Sequence, residues 1–194
     1  MSTLRLVREP KKSEPILPNA VLGTLFFIIA ESMLFAGFIS GYIVVEANYP
    51  PGMWPPPEQP RLPIEVTAVT TTMLLASGVL LWWAGRRFRE SADAAKSPMG
   101  LAVLLGALFV GVQGVEWVQL IGEGLTLTSS SFGGFFYVIV GAHAMHAIPA
   151  IVILLRQRQR MLRGELKPDA FAAARLFWYF VVLVWPVLYW TVYL

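Results

Sequence analysis

The chain has 194 residues, of which 56% are apolar, and its 15 Lys and Arg against 12 Asp and Glu leave a net charge of only +3. That apolar share exceeds the roughly 45 to 50% of an ordinary soluble domain, and the mean hydropathy of +0.62 agrees with a protein whose solvent is lipid. The weak net charge makes nucleic acid an unsuitable partner, and the absence of cysteine excludes disulfides, thiolate metal sites and covalent haem attachment through a Cys-x-x-Cys-His motif.

Residues 1–18 carry Arg5, Arg8, Lys11 and Lys12 but no apolar run ending in a small-residue cleavage site, so they read as a cytoplasmic arm and not as a signal peptide. The remainder, residues 19–194, reads as one membrane domain. A helix needs about 20 apolar residues to cross the roughly 30 Å hydrocarbon layer. Five stretches meet that need, at 19–45, 65–85, 99–121, 132–155 and 173–193. The fold class is therefore all-α, a five-helix transmembrane bundle.

The connecting segments are rich in Pro, Gly or charge, which end a hydrophobic helix. Lys and Arg are retained on the cytoplasmic side of short loops. The arm holds four, the second loop holds Arg86, Arg87, Arg89 and Lys96, and the fourth holds Arg156, Arg158, Arg160, Arg163 and Lys167; Arg175 joins them and only Arg61 lies opposite. This asymmetry places the N-terminus in the cytoplasm and the C-terminus outside. Positive-inside sorting accounts for the basic loops without a dedicated lipid or nucleic-acid site.

In the first span, Glu31 lies about 18 Å along the helix from Asn19 at 1.5 Å per residue. A carboxylate at mid-span costs about 2.5 to 3.5 kcal/mol on insertion scales, so Glu31 should face protein, a lipid headgroup or water. Ala36, Gly37, Ser40 and Gly41 follow as two small-xxx-small pairs that suit close helix packing. In the third span Gln113 and Glu116 form a polar pair near the outer end, where water or headgroups are expected within reach. In the fourth, His143 and His146 are three residues apart on one helical face, with His143 at a depth matching Glu31. Trp82 with Trp83, and Trp190 with Tyr193, read as interface anchors.

Glu31, Glu116, His143 and His146 could be gathered as metal ligands, but di-iron bundles use Glu-x-x-His on two helices, and neither histidine here follows a glutamate by three. The plainer reading is a hydrogen bond across two helices between Glu31 and one of the histidines, fixing helix register. Two histidines cannot supply the axial ligands of two haems and the imidazoles of a copper site. The chain is expected to hold no catalytic centre, cofactor or metal of its own.

AESMLFAGFISGYIVV, MWPPPEQPRLP, TTTMLLASG and VQGVEWVQLIGEGLTLTSSSFGGFFYVIVGAHAMH, taken in order, resemble subunit III of the haem-copper oxidases, with Glu31 on the family's buried glutamate. The five spans are similar to the last five of the family's seven. Where the family usually carries His and Asp in the last helix, this chain has Tyr179 and Val182. The resemblance implies a non-catalytic subunit of a cytochrome c oxidase in the aerobic respiratory chain. It would sit in a bacterial inner membrane and pack on subunit I, with subunit II nearby. Haem and copper would belong to those partners, and the chain would hold structural phospholipid, support proton uptake and protect the enzyme during turnover. Rival expectations are an accessory subunit of a nitric oxide reductase and a stand-alone proton-linked transporter using Glu31 and Glu116.

Overall fold

The computed structural model describes residues 17–194, so most of the expected N-terminal arm lies outside the described residues. Five helices follow in order: α1 (Asn19–Glu46), α2 (Ile64–Phe88), α3 (Ala92–Gly122), α4 (Ser131–Leu162) and α5 (Pro168–Tyr193). All five are long and apolar enough to cross a membrane. This is a multi-pass membrane protein.

The helices outrun the apolar stretches at their basic ends. α3 begins at Ala92 and α4 continues to Leu162, so residues expected in loops, Lys96 and Arg156 to Arg160 among them, extend helices beyond the hydrocarbon. At 32 residues α4 is about 48 Å long, well over the roughly 30 Å core. Local chemistry sets the ends. Ser91 and Ser130 accept backbone N–H bonds from Ala94 and Gly133 at the starts of α3 and α4. Gly124 and Gly164 close the same helices at φ 94° and 73°, with Leu125 and Glu165 N–H returning to Leu120 and Arg160 carbonyls at 2.9 Å. A left-handed residue is needed in this closure, and glycine takes it without a Cβ penalty.

α5 is the hub, touching α1, α2 and α4, while α2 and α3 form a tight hairpin and α3 also meets α4. α1 touches only α4 and α5, and just Val21, Phe35 and Tyr42 of its residues are buried. The core is built on Trp178 and Trp185, which are 0% and 1% exposed. Trp178 donates its indole N–H to Ser77 Oγ at 3.2 Å and Trp185 donates to Thr71 Oγ1 at 2.8 Å, joining α5 to α2. In lipid these bonds matter because a buried donor has no water to fall back on.

Of the small residues on α1, Ala36, Gly37 and Ser40 are exposed, Ala36 lines a groove against α5, and Gly41 meets α4, where a Cβ would stand 3.0 Å from the Phe135 ring. The buried contacts of α1 come from Val21, Phe35 and Tyr42. One expectation is corrected here. Tyr193 is no interface anchor: it is buried, with its ring 5.7 Å from Phe136 and 5.5 Å from Tyr189. Trp82, Trp83 and Trp190 are exposed as expected.

The close approach that counts is elsewhere. A Cβ on Gly106 would fall 2.6 Å from two atoms of the Trp178 ring. Gly106→Val should therefore displace that ring and lower stability by about 1 to 3 kcal/mol. Thermal unfolding in detergent, followed by Trp fluorescence, checks this, and an unchanged midpoint would show that the contact is dispensable.

Candidate functional site

Glu31, near the middle of α1, and His146, near the middle of α4, meet at 3.0 Å between Oε2 and Nε2. Their side chains are 20% and 13% exposed. On its other edge His146 Nδ1 lies 2.7 Å from the Ala142 carbonyl. A carbonyl only accepts, so Nδ1 carries a hydrogen. One further proton must then lie between Nε2 and the carboxyl for that contact to be a hydrogen bond, as imidazolium with carboxylate or as imidazole with carboxylic acid. Either form is neutral overall, which suits a half-buried pair in the middle of a span.

Phe27, Phe35, Phe177 and Phe180 surround the imidazole, their ring centres 5.5 to 6.4 Å away. Glu31 and His146 line a groove of about 900 Å³ between α1, α4 and α5, walled mostly by apolar residues such as Phe27, Met145 and Phe177, with Asn19 and Thr24 toward the start of α1. The expected cross-helix bond is thus present, and the histidine in it is His146.

His143 does something else. Positions three apart on a helix point about 60° away from each other, enough for His143 to turn from α1 toward α3 and α5. It is 2% exposed, its ring centre 4.8 Å from Trp185 and 6.2 Å from Phe109. Its Nε2 has no hydrogen-bond partner. With Gln113 and Trp117 it lines a cavity of about 250 Å³ between α3 and α4. The two histidines therefore serve separate sides of α4.

Glu116 is also placed differently from expectation. It is 4% exposed and turned inward, accepting the amide hydrogen of Gln113 at Oε2, with Thr67 Oγ1 at 3.2 Å from the same oxygen. The Thr67 hydroxyl lies 2.9 Å from the Pro63 carbonyl as well. Sequence position put Glu116 near the end of a span; the inward turn of α3 against α2 decides that it is not in contact with water or headgroups. Glu31 with His146 and Glu116 with Gln113 are thus two separate polar pairs. Among the described residues no group of three or more His, Asp or Glu is placed to hold a metal ion.

Several residues that hold this arrangement were missed in the sequence. Trp178 and Trp185 stand seven apart and away from the span ends, and Thr67, Thr71 and Ser77 recur on one face of α2; both spacings are visible but were absorbed by the general abundance of Trp and Thr. Tyr42, whose hydroxyl accepts the Trp54 indole N–H at 2.9 Å, ties the C-terminal end of α1 to the Pro-rich loop. Trp54 in turn sits edge-on to Phe132 of α4 at 5.4 Å.

A bundle of five membrane-length helices joined by polar contacts, with a peripheral α1 bordering a groove, defines an all-α polytopic membrane protein. Residues 12–194 match the sequence profile of the family described as Cytochrome c oxidase subunit III. The chain is 32% identical over 182 residues to a probable cytochrome c oxidase subunit 3 of Nocardia farcinica, covering 91% of this chain and 88% of that one. It is 31% identical over 179 residues to cytochrome c oxidase subunit 3 of Gallus gallus, covering 88% and 67%. Against the same-named protein of Synechocystis it is 28% identical over 179 residues, covering 90% and 75%. The chain belongs to the cytochrome c oxidase subunit III family.

The two histidines should respond differently to substitution. His146→Ala leaves Glu31 without its partner and should cost about 1 to 3 kcal/mol, whereas His143→Phe keeps the aromatic packing, loses no protein hydrogen bond at Nε2 and should fall within about 1.5 kcal/mol of the unsubstituted protein. Paired thermal melts in one detergent check the order, and a reversed ranking would refute it.

Proposed function

We propose that this chain is subunit III of a haem-copper terminal oxidase of an aerobic respiratory chain, and that it works by holding its partners and lipid in place. The observation that carries this is the match over residues 12–194, which takes in all five helices and both polar pairs. The relatives described above are named for cytochrome c oxidase, which favours that complex over a nitric oxide reductase.

In this reading the chain packs on the catalytic subunit I, with subunit II in the same complex, and the haem and copper reside in those partners. The membrane is a bacterial cytoplasmic membrane, with the N-terminus inside and the C-terminus outside. The orientation rests on the Lys and Arg of the α2–α3 and α4–α5 ends against Arg61 alone on the other side. Reporter fusions after Glu90 and after Leu127 test it: the first should report cytoplasmic and the second external, and the opposite result would invert the topology.

Glu31 and His146 have a positioning role here. Their bond ties α1, which touches only α4 and α5, to the bundle at mid-membrane. The adjoining groove is shaped for phospholipid acyl chains, and its contents would set how firmly α1 and the neighbouring subunits stay docked. Proton uptake from the cytoplasmic side and protection during turnover follow indirectly, through the order of this region.

Glu31→Gln keeps a hydrogen-bonding group against His146, so a complex carrying it should assemble with full haem content and turn over within about twofold of normal, since a neutral amide replaces most of one net hydrogen bond of about 1 kcal/mol. Loss of proton pumping in reconstituted vesicles, with assembly and haem intact, would defeat the positioning role. The assignment itself is checked by pulling the complex down through a tag on this chain in mild detergent and recording its optical spectrum. Haem a-type bands with an oxidase subunit I are expected; haem b with a nitric oxide reductase subunit, or a colourless lone protein, would overturn it.

A further inference from the structure

Glu116 and Gln113 have no part in the positioning role of Glu31 and His146, and their hydrogen bonds are one proton short. Glu116 Oε2 is well supplied: it accepts from the Gln113 amide and lies 3.2 Å from Thr67 Oγ1. Glu116 Oε1 and Gln113 Oε1, by contrast, are buried with no partner. The two residues are only 4% and 6% exposed.

Both orphaned atoms are oxygens of the two side chains that already touch. A carboxyl group and a primary amide can meet edge to edge, amide N–H to one carboxyl oxygen and carboxyl O–H to the amide oxygen. The second of those bonds exists only when the carboxyl carries its proton. A single hydrogen on Oε1 thus answers both orphans at once. An ionised Glu116 answers neither, and no Lys, Arg or His pairs with it among the described residues. A lone carboxylate buried in a span is among the costliest groups a membrane protein can hold.

The pair also has a way out of the bundle. Tyr193, the last residue of α5, turns its hydroxyl toward Thr67 and Glu116, and that hydroxyl too is buried without a partner. The same tyrosine lines a groove of about 430 Å³ between the end of α5 and the loop joining α1 to α2, where Glu46, Gln59 and Arg61 make a polar wall. The other titratable groups nearby are Tyr189 of α5 and Tyr137 of α4. Both donate their hydroxyls to backbone carbonyls, of Ile64 and Leu125. His143 of α4 lies across the cavity that it shares with Gln113.

We infer that Glu116 is a proton-storing site: its carboxyl holds a hydrogen on Oε1 for the Gln113 amide oxygen and exchanges it with the groove through the Tyr193 hydroxyl. In the exchange the carboxyl proton passes to Tyr193 Oη as the phenol's own proton passes to water in the groove. The phenol is restored, and the carboxylate left behind keeps the Gln113 N–H. Return of a proton by the same route reverses the step. The site stands on these three side chains, whichever complex carries the chain.

The test is infrared difference spectroscopy of the complex purified through this chain at neutral pH. Subtracting the Glu116→Gln spectrum from that of the unsubstituted complex should leave one carbonyl band of a neutral carboxylic acid, which shifts on transfer to D2O. Gln113→Leu keeps the acid but removes the amide, so it should move that band to higher wavenumber without abolishing it. This second variant decides the matter if Glu116→Gln does not assemble. Tyr193→Phe keeps the buried ring and should slow deuteration of the band about a hundredfold, the low end of what a positioned proton-transfer group supplies. Carboxylate bands in place of the acid band in the Glu116→Gln difference would overturn the site, as would a Gln113→Leu spectrum without the shift. Deuteration at an unchanged rate in Tyr193→Phe would overturn the route through Tyr193.

Discussion

Polar groups inside a bilayer have to find their partners within the protein, and the two indole-to-hydroxyl bonds from α5 to α2 answer that constraint at the centre of this fold. Trp178 to Ser77 and Trp185 to Thr71 set both the spacing and the register of the two helices. Once α5 is pinned in this way, α3 follows α2 through their hairpin, and Gly106 lets α3 approach the Trp178 ring. Phe109 of α3 and His143 of α4 then pack on Trp185. The energy of each bond is modest, about 1 kcal/mol net, but an indole left unpartnered in lipid would cost more than its bond supplies.

α1 stands outside this economy of contacts. It buries few residues, passes by α2 and α3 entirely, and is tied down at two levels: Glu31 to His146 near mid-helix and Tyr42 to Trp54 at its C-terminal end. A helix held by two polar ties over a wide groove is suited to accommodate what lies beside it, and this links the placement of Glu31 to a positioning role more naturally than to chemistry of its own. Its small residues Ala36, Gly37 and Ser40 are exposed, with Ala36 at the margin of the groove between α1 and α5.

The arginines illustrate how one residue type answers two demands. As a set, their distribution follows the sorting of charge across a membrane. Within the membrane protein they also pack: Arg86, Arg87 and Arg175 each lie over an aromatic ring, and Arg175 occupies the space beside Gly85.

The sequence by itself determined the number of spans, the all-α class and the family resemblance, because hydrocarbon thickness imposes a run length that a single chain displays openly. It also marked Glu31, since a carboxylate at mid-span has to be explained. It did not determine which way each helix faces. In lipid the outward residues are as apolar as the inward ones, with Phe26 and Met145 exposed while Phe35 and Met99 are buried, so no amphipathic stripe points to the core. Only the tertiary structure chose His146 over His143 as the partner of Glu31, turned Glu116 inward, and left the small residues of α1 outside. Each of those outcomes depends on a rotation of a helix about its own axis, set by packing against neighbours distant in the chain.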